Sequence, residues 1–307
     1  MKRVYDEEAQ VLNQEAMSQG SFALTIAYHG ALFHGFARQP GVVTVQDRLE
    51  EALLTVLGHE VETVCAGRTD AGVHALGQVV GFSVPEAFAA SAAARVSAVT
   101  AVPEPPEAFG SPEDASHPGA LGGTSALRRS LDALAGEGIV VRSVRATVPG
   151  FSARFDALAR EYRYLIVPGP AAPLFLDAFA WHVPAALDAE AMGAAARALI
   201  GEHDFRSFCT AASAEGKNTV RRVETIEITA EQHLGEGCLS IRVVGNAFLH
   251  SMVRVIVGTL VEVGSGHRPC AWVAEALDAC AREAAGPTAP AKGLTLIGVC
   301  YPDEVWL

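Results

Sequence analysis

The segment FLHSMVRVIVGTLVEVG, residues 248–264, constrains the fold more than any other stretch of the chain. It is apolar almost all the way round at helical spacing, so it predicts a helix over 248–263 that is central and not laid on a surface. Arg254 sits inside it between Met252, Val253, Val255, Ile256 and Val257, poor surroundings for a guanidinium. Helical spacing puts Arg254 on one stripe with His250 and Gly258, where a narrow slot can open. Breaking a buried ion pair costs roughly 3–5 kcal/mol, so an arginine there needs an acidic partner. A carboxylate on a loop entering the core, such as Asp70, is one candidate, and Glu262 or Glu224 is a purely structural alternative.

The rest of the chain supplies elements to pack around that helix. SFALTIAYHG (21–30) has strand character, and TVQDRLEEALLTVLG reads as a helix with Thr44 as N-cap, Asp47 three residues on and Gly58 as its stop. VETVCA and GQVVGF read as strands on either side of a polar loop. SALRRSLDALAGEG reads as a helix, IVVRSVRA as a strand, and REYRYLIV alternates Tyr162, Tyr164 and Ile166 against Arg163, Leu165 and Val167. A helix at LDAEAMGAAARALIG and strands near 223–229 and 238–245 follow. This order predicts an α+β fold of two related subdomains, with mostly antiparallel sheet and flanking helices. The divisions are an N-terminal extension over 1–20, a subdomain over 21–167 and a second over 168–307. Residues 1–20 are expected to fray or form partial helix. A Pro-rich, irregular insertion near 85–124 is expected to carry one Ala-rich helical piece near 86–97.

Bulk properties exclude several classes. No run approaches the 18 apolar residues of a membrane span. The first twenty residues lack the hydrophobic middle of a signal peptide. The six cysteines, Cys65, Cys209, Cys238, Cys270, Cys280 and Cys300, include no CxxC pair, which argues against a zinc site or a disulfide framework and points to a reduced, cytoplasmic protein. No Walker loop, GxGxxG, HExxH or GxSxG motif occurs, so no nucleotide cofactor, metal or serine nucleophile is expected. The net charge of −12 argues against nucleic acid, but Arg128-Arg129, Arg154/Arg160/Arg163 and Arg221-Arg222 cluster, and a local patch can hold phosphate.

The loop within CAGRTDAGVHALGQVVGF (65–82) holds Arg68, Asp70 and His74 between two apolar strands. A carboxylate beside a cation stays ionised and can serve as nucleophile, base or electrostatic stabiliser. The alternative is an Asx-turn held by Thr69 and Gly72. His74 reads as structural. Tyr162, among Arg160, Glu161 and Arg163 at an exposed-looking strand start, is placed for a base to stack on its ring, whereas Tyr164 reads as core.

GRTDAGVHALGQV (67–79) closely resembles the signature of the TruA family of tRNA pseudouridine synthases. The resemblance covers most of residues 21–302, through YHGALFHGFARQ, FSARFDALAREYRYLI, GEHDFRSF, NAFLHSMVRVIVGTLVEVG and GLTLIGVCYP. It implies the pseudouridine synthase fold and isomerisation of uridine at nucleotides 38–40 of the tRNA anticodon stem-loop. It also implies that no cofactor is needed, and that a homodimer holds one tRNA across both subunits. By the same resemblance Asp70 is the catalytic aspartate, Arg254 its partner, Tyr162 the tyrosine that stacks on the bound base, and Arg68 the residue that extrudes the target. The chain departs from the family's usual pattern at Ala37, Ser152 and Asp132 and in the Pro-rich insertion. These departures bear on substrate range and the RNA path more than on the chemistry.

Overall fold

The computed structural model describes residues 19–85, 122–210 and 214–307. The expectations for residues 1–18 and for nearly all of the insertion, including the helical piece near 86–97, lie outside the described residues.

Ten strands form one sheet: β1 (Gln19–Tyr28), β2 (Val64–Cys65), β3 (His74–Pro85), β4 (Ile139–Thr147), β5 (Ala159–Pro168), β6 (Trp181–Val183), β7 (Gly201–Asp204), β8 (Val220–His233), β9 (Glu236–Gly245) and β10 (Leu294–Cys300). Among the described residues five α-helices accompany them: α1 (Val45–Leu57), α2 (Gly122–Leu134), α3 (Ala189–Ala196), α4 (Met252–Gly264) and α5 (Trp272–Asp278). The strand order is β4-β1-β3-β10-β5-β9-β8-β7, with β2 beside β3 and β6 beside β5. Every pairing is antiparallel except β10 with β3 and β5 with β6, so the architecture is α+β.

Local chemistry sets these elements. Thr44 caps α1 by accepting from the Asp47 amide, and its hydroxyl donates to the Asp47 carboxylate at 2.6 Å. Gly58 ends the helix with φ 78°, a conformation that costs glycine nothing. The period-two pattern of the strands divides their side chains between two faces. Leu24, Ile26, Val80, Tyr164 and Ile166 join the helices in the main core, while Ala23, Val79, Phe151, Ala153 and Tyr301 form a smaller cluster behind the sheet. Helix α1 packs on α2, and α3 packs on α4.

The last strand, β10, fixes the site. It pairs with β3 at Thr295↔His74 and Leu296↔Ala75, and with β5 at Leu296↔Tyr162. The strand that follows the polar loop and the strand that carries Tyr162 are thereby held one strand apart. Helix α4 is central as expected, with Val255, Ile256, Val257 and Leu260 all 0% exposed. It starts at Met252 and not at residue 248, because Ser251 takes φ 61°, ψ 8°, outside the right-handed helical region.

Candidate active site

Residues 66–73 leave β2 and re-enter the sheet at β3. The Ala66 amide donates to the Val79 carbonyl at 2.8 Å and the Phe36 amide to the Thr69 carbonyl at 3.1 Å. Gln78, 0% exposed inside β3, donates through Nε2 to the Gly67 carbonyl at 2.7 Å. The hydroxyls of Tyr28 and Thr69 meet at 2.7 Å. The Val73 amide closes the turn on the Asp70 carbonyl at 3.1 Å, with Gly72 at φ 82°. The turn is thus built from backbone groups and glycine, and the Asp70 carboxylate takes no part in it. That disposes of the Asx-turn alternative.

Arg160 clamps this loop to the segments around it. Its Nη2 donates to the carbonyls of Ala66 at 3.0 Å and Arg154 at 2.5 Å, and its Nη1 to those of Ala157 at 3.1 Å and Asn246 at 2.5 Å. The side chain is buried and its four hydrogen bonds all go to carbonyl oxygens; burial pulls its pKa below the usual arginine value.

The Asp70 carboxylate points at the start of α4. Arg254 Nη1 donates to Oδ2 at 2.7 Å and Ser251 Oγ donates to the same oxygen at 2.9 Å. His250 Nε2 stands 3.0 Å from Oδ1. Arg254 is steadied by its own Nε, which donates to the Ala289 carbonyl at 2.8 Å. Gly258 makes that contact possible, because a Cβ there would overlap the Pro287 carbonyl and push the 287–289 segment away. The positive end of the helix dipole faces the carboxylate as well. Ser251, a non-glycine residue at positive φ, concentrates backbone strain of about 1–3 kcal/mol where its hydroxyl meets Asp70.

Of the acidic candidates for Arg254, Asp70 is the one that meets it, while Glu262 takes His267 at 3.3 Å. The pair is less buried than the sequence suggested. The Arg254 and Asp70 side chains are 18% and 19% exposed, so the site opens to solvent at the carboxylate.

Tyr162 departs from its expected exposure. It is 7% exposed, its ring meets Phe248 edge-on at 5.2 Å, and its hydroxyl lies under Gly67, 3.7 Å from where a Cβ would stand. The ring is therefore a floor beneath the loop and not an open platform, because the start of β5 is covered by the 66–70 and 246–248 segments. Burial pushes its phenol well above the ordinary range. Arg68 is exposed and forms no hydrogen bond or ion pair among the described residues. His74 is 3% exposed and accepts from the Gly30 amide through Nδ1 at 3.1 Å. Burial and the neighbouring His29 lower its pKa to about 4. Cys65, beside the loop, is pushed up to about 11 by burial and stays a thiol.

Much of the clustered arginine charge is turned onto the protein itself, although Arg154 stays close to Arg160 and Arg221, whose pKa values are lowered by burial first and by Arg154 after it. Arg160 is the clamp, Arg163 faces Glu231 at 3.9 Å, Arg128 donates to the Val141 carbonyl, and Arg221 to the carbonyls of Asn218 and Val220. Arg154 lies with its guanidinium 5.4 Å from the Phe155 ring. Sequence reasoning missed Ser251, Gln78, Tyr28 and the clamp role of Arg160. For Gln78 the signal was available: an amide on the apolar period of a strand must be satisfied from within. Among the described residues no group of three or more His, Cys, Asp or Glu is placed to hold a metal ion, and no helix is long and apolar enough to cross a membrane.

The α+β sheet thus brings one carboxylate, clasped by arginine, serine and histidine, to a helix N-terminus at a face open to solvent. A family model described as tRNA pseudouridine synthase matches residues 195–302. The chain is 41% identical over 277 residues to a tRNA pseudouridine synthase A of Brevibacillus brevis, covering 90% of this chain and 97% of the relative. It is 40% identical over 281 residues to that of Bacillus licheniformis, covering 91% and 98%, and 39% identical over 285 residues to that of Frankia casuarinae, covering 92% and 89%. The chain belongs to the tRNA pseudouridine synthase family of isomerases.

Proposed function

We propose that this chain converts uridine to pseudouridine in tRNA at nucleotides 38–40 of the anticodon stem-loop, with Asp70 as the catalytic carboxylate. The observation that carries the reading is the convergence of Arg254, Ser251 and His250 on that carboxylate, at 2.7, 2.9 and 3.0 Å, at the open end of the site. Such a constellation holds a carboxylate in one orientation toward the open side of the site. Membership in a family of tRNA pseudouridine synthases supports assigning that carboxylate to the isomerisation.

The reaction leaves the atom count unchanged. The bond from N1 to C1′ breaks, the uracil turns, C5 joins C1′, the C5 proton departs and N1 takes one up. Asp70 either attacks C1′, giving an ester that the turned uracil displaces, or removes the 2′ proton to give a glycal; both routes need it ionised. Taking the uridine out of its stack costs a few kcal/mol, offset by contacts in the pocket. Arg68, exposed beside the carboxylate, is suited to fill the place the base leaves. Tyr162, covered by the loop in the free protein, becomes the surface on which the base stacks once the 66–70 or 246–248 segment moves off the ring. A bound tRNA that closes the site over the carboxylate protects the detached uracil from hydrolysis. The same reading takes the protein to be a cytoplasmic homodimer that holds one tRNA across both subunits. It places the site at the junction of the 21–167 subdomain, which carries Asp70 and Tyr162, with the 168–307 subdomain, which carries Arg254.

The test is to incubate the full chain with unmodified tRNA transcripts and map pseudouridine along them. Conversion confined to nucleotides 38–40 is the expected result. Conversion elsewhere in the tRNA, or none, would overturn the positional reading.

A further inference from the structure

The two oxygens of Asp70 have unlike partners. Oδ2 is held by Arg254 and Ser251, donors fixed at the first turn of α4. Oδ1 faces the His250 imidazole, with Nε2 at 3.0 Å, and the other ring nitrogen, Nδ1, lies 3.1 Å from the Thr210 hydroxyl. The neutral tautomer with its proton on Nε2 satisfies both contacts: Nε2–H donates to Oδ1, and Nδ1 accepts from Thr210. The His250 side chain is 56% exposed, against 18% for Arg254, so the imidazole is the partner on the solvent side, where a substrate arrives.

We infer that Oδ1 is the oxygen that reacts and that His250 is a positioning residue that covers it in the free enzyme, steadied by Thr210, until the substrate ribose displaces the ring. The inference rests on Asp70 being the catalytic carboxylate. Oδ2 cannot take the reacting role without breaking two hydrogen bonds made by a guanidinium and a strained serine, whereas Oδ1 is freed by one rotation of an exposed side chain. The charged groups facing the imidazole are Asp70 from the loop and, across that carboxylate, Arg254 from α4. From the segment after β7 it meets the uncharged Thr210. A neutral imidazole covers Oδ1 with one hydrogen bond to an anion. A protonated one adds the opposite charge and holds that oxygen more tightly. The cover therefore tightens when the ring gains a proton. Because cover and substrate compete, the effect falls on KM and not on the turnover of bound tRNA.

The test compares the full chain with His250→Gln and Asp70→Asn. Glutamine keeps a donor toward Oδ1 and an acceptor toward Thr210 but does not titrate. From pH 8 to pH 6 the wild-type kcat/KM should fall about threefold or more relative to that of H250Q, through KM. Parallel profiles, or a gap that lies in kcat, would overturn the inference. A second reading needs no turnover. The ring resonances of His250, assigned by their loss in H250Q, should move at fixed pH in D70N and when an anticodon stem-loop RNA binds the wild type. Resonances indifferent to both would show that the cover does not exist. A wild type inactive on every unmodified tRNA counts against the function, and a ring that still responds to Asp70→Asn and to RNA would then uphold the cover independently.

Discussion

His74 shows how a loop rich in polar residues divides its labour. Its ring is sealed under the loop, accepts from the Gly30 amide and stands edge-on to His29 at 4.8 Å, so it must stay neutral. With a folded-state pKa of about 4, against roughly 6.5 when unfolded, the unfolded chain binds the extra proton between those values. Stability is full above about pH 6.5 and falls by about 3 kcal/mol as pH drops toward 4. Thermal melting of His74→Asn, which keeps an acceptor but does not titrate, should be lower at neutral pH and flatter across this window; a decline parallel to the wild type would contradict the assignment. Arg254 makes a different prediction. Arg254→Ala leaves Asp70 with Ser251 and His250 and strips the Ala289 carbonyl of its donor, which should cost about 1–3 kcal/mol and most of the activity. The figure is below that for a fully buried pair because both side chains are about one-fifth exposed. An unchanged melting temperature would show that the guanidinium carries no load. Arg254's need for a carboxylate was legible in the sequence because a lone charge among apolar residues has few physical explanations, while Asp70, in a polar loop, stood out among the candidates through the family resemblance. Ser251 and His250 were not marked out as partners of Asp70, since serine and histidine near a helix start fit many roles and their aim depends on a backbone angle that composition does not encode.

At the scale of elements, the site is an arrangement of segment ends held by one buried cation. The four carbonyls on Arg160 come from Ala66, Arg154, Ala157 and Asn246, so a single guanidinium ties the loop that carries Asp70 to the segment before β5 and to the turn before α4. Arg160→Met preserves most of the volume but leaves buried carbonyls unpaired. Chemical denaturation should show a loss of roughly 2–4 kcal/mol, with activity falling further than stability explains, because Asp70 and α4 lose their common brace. A variant as stable as the wild type would mean that water or a neighbour satisfies those oxygens equally well. Capping chemistry and periodicity revealed α1 and β5 almost to the residue. The start of α4 and the extent of β3 were misjudged. Apolar spacing continues through residues 248–251 although the backbone there turns, and β3 runs past its apolar run because β1 pairs with it as far as Pro85. The insertion of β10 between β3 and β5 had no local signal, since it pairs residues far apart in the chain.

For the whole molecule, a net charge of −12 and a nucleic-acid substrate are reconciled if binding is local. Long-range attraction is weak, so phosphate contacts near the site carry the affinity. Affinity for tRNA should fall linearly on a log–log plot against salt, with a slope of about −0.7 to −0.9 per phosphate neutralised; binding indifferent to salt would exclude a phosphate-led complex. The clusters Arg128-Arg129 and Arg160/Arg163 read as local phosphate patches, yet Arg128, Arg160 and Arg163 turn to acceptors of the protein itself, because sequence adjacency does not say which donors the chain uses on itself. The central claim is that Asp70 performs the isomerisation, and the most direct measurement is release of tritium from tRNA labelled at C5 of uridine, comparing wild type with Asp70→Asn. Release by the wild type that disappears in the variant, with tRNA binding kept, is the expected result. Release by Asp70→Asn within about tenfold of the wild type, a difference of only ~1.4 kcal/mol in barrier, would contradict it.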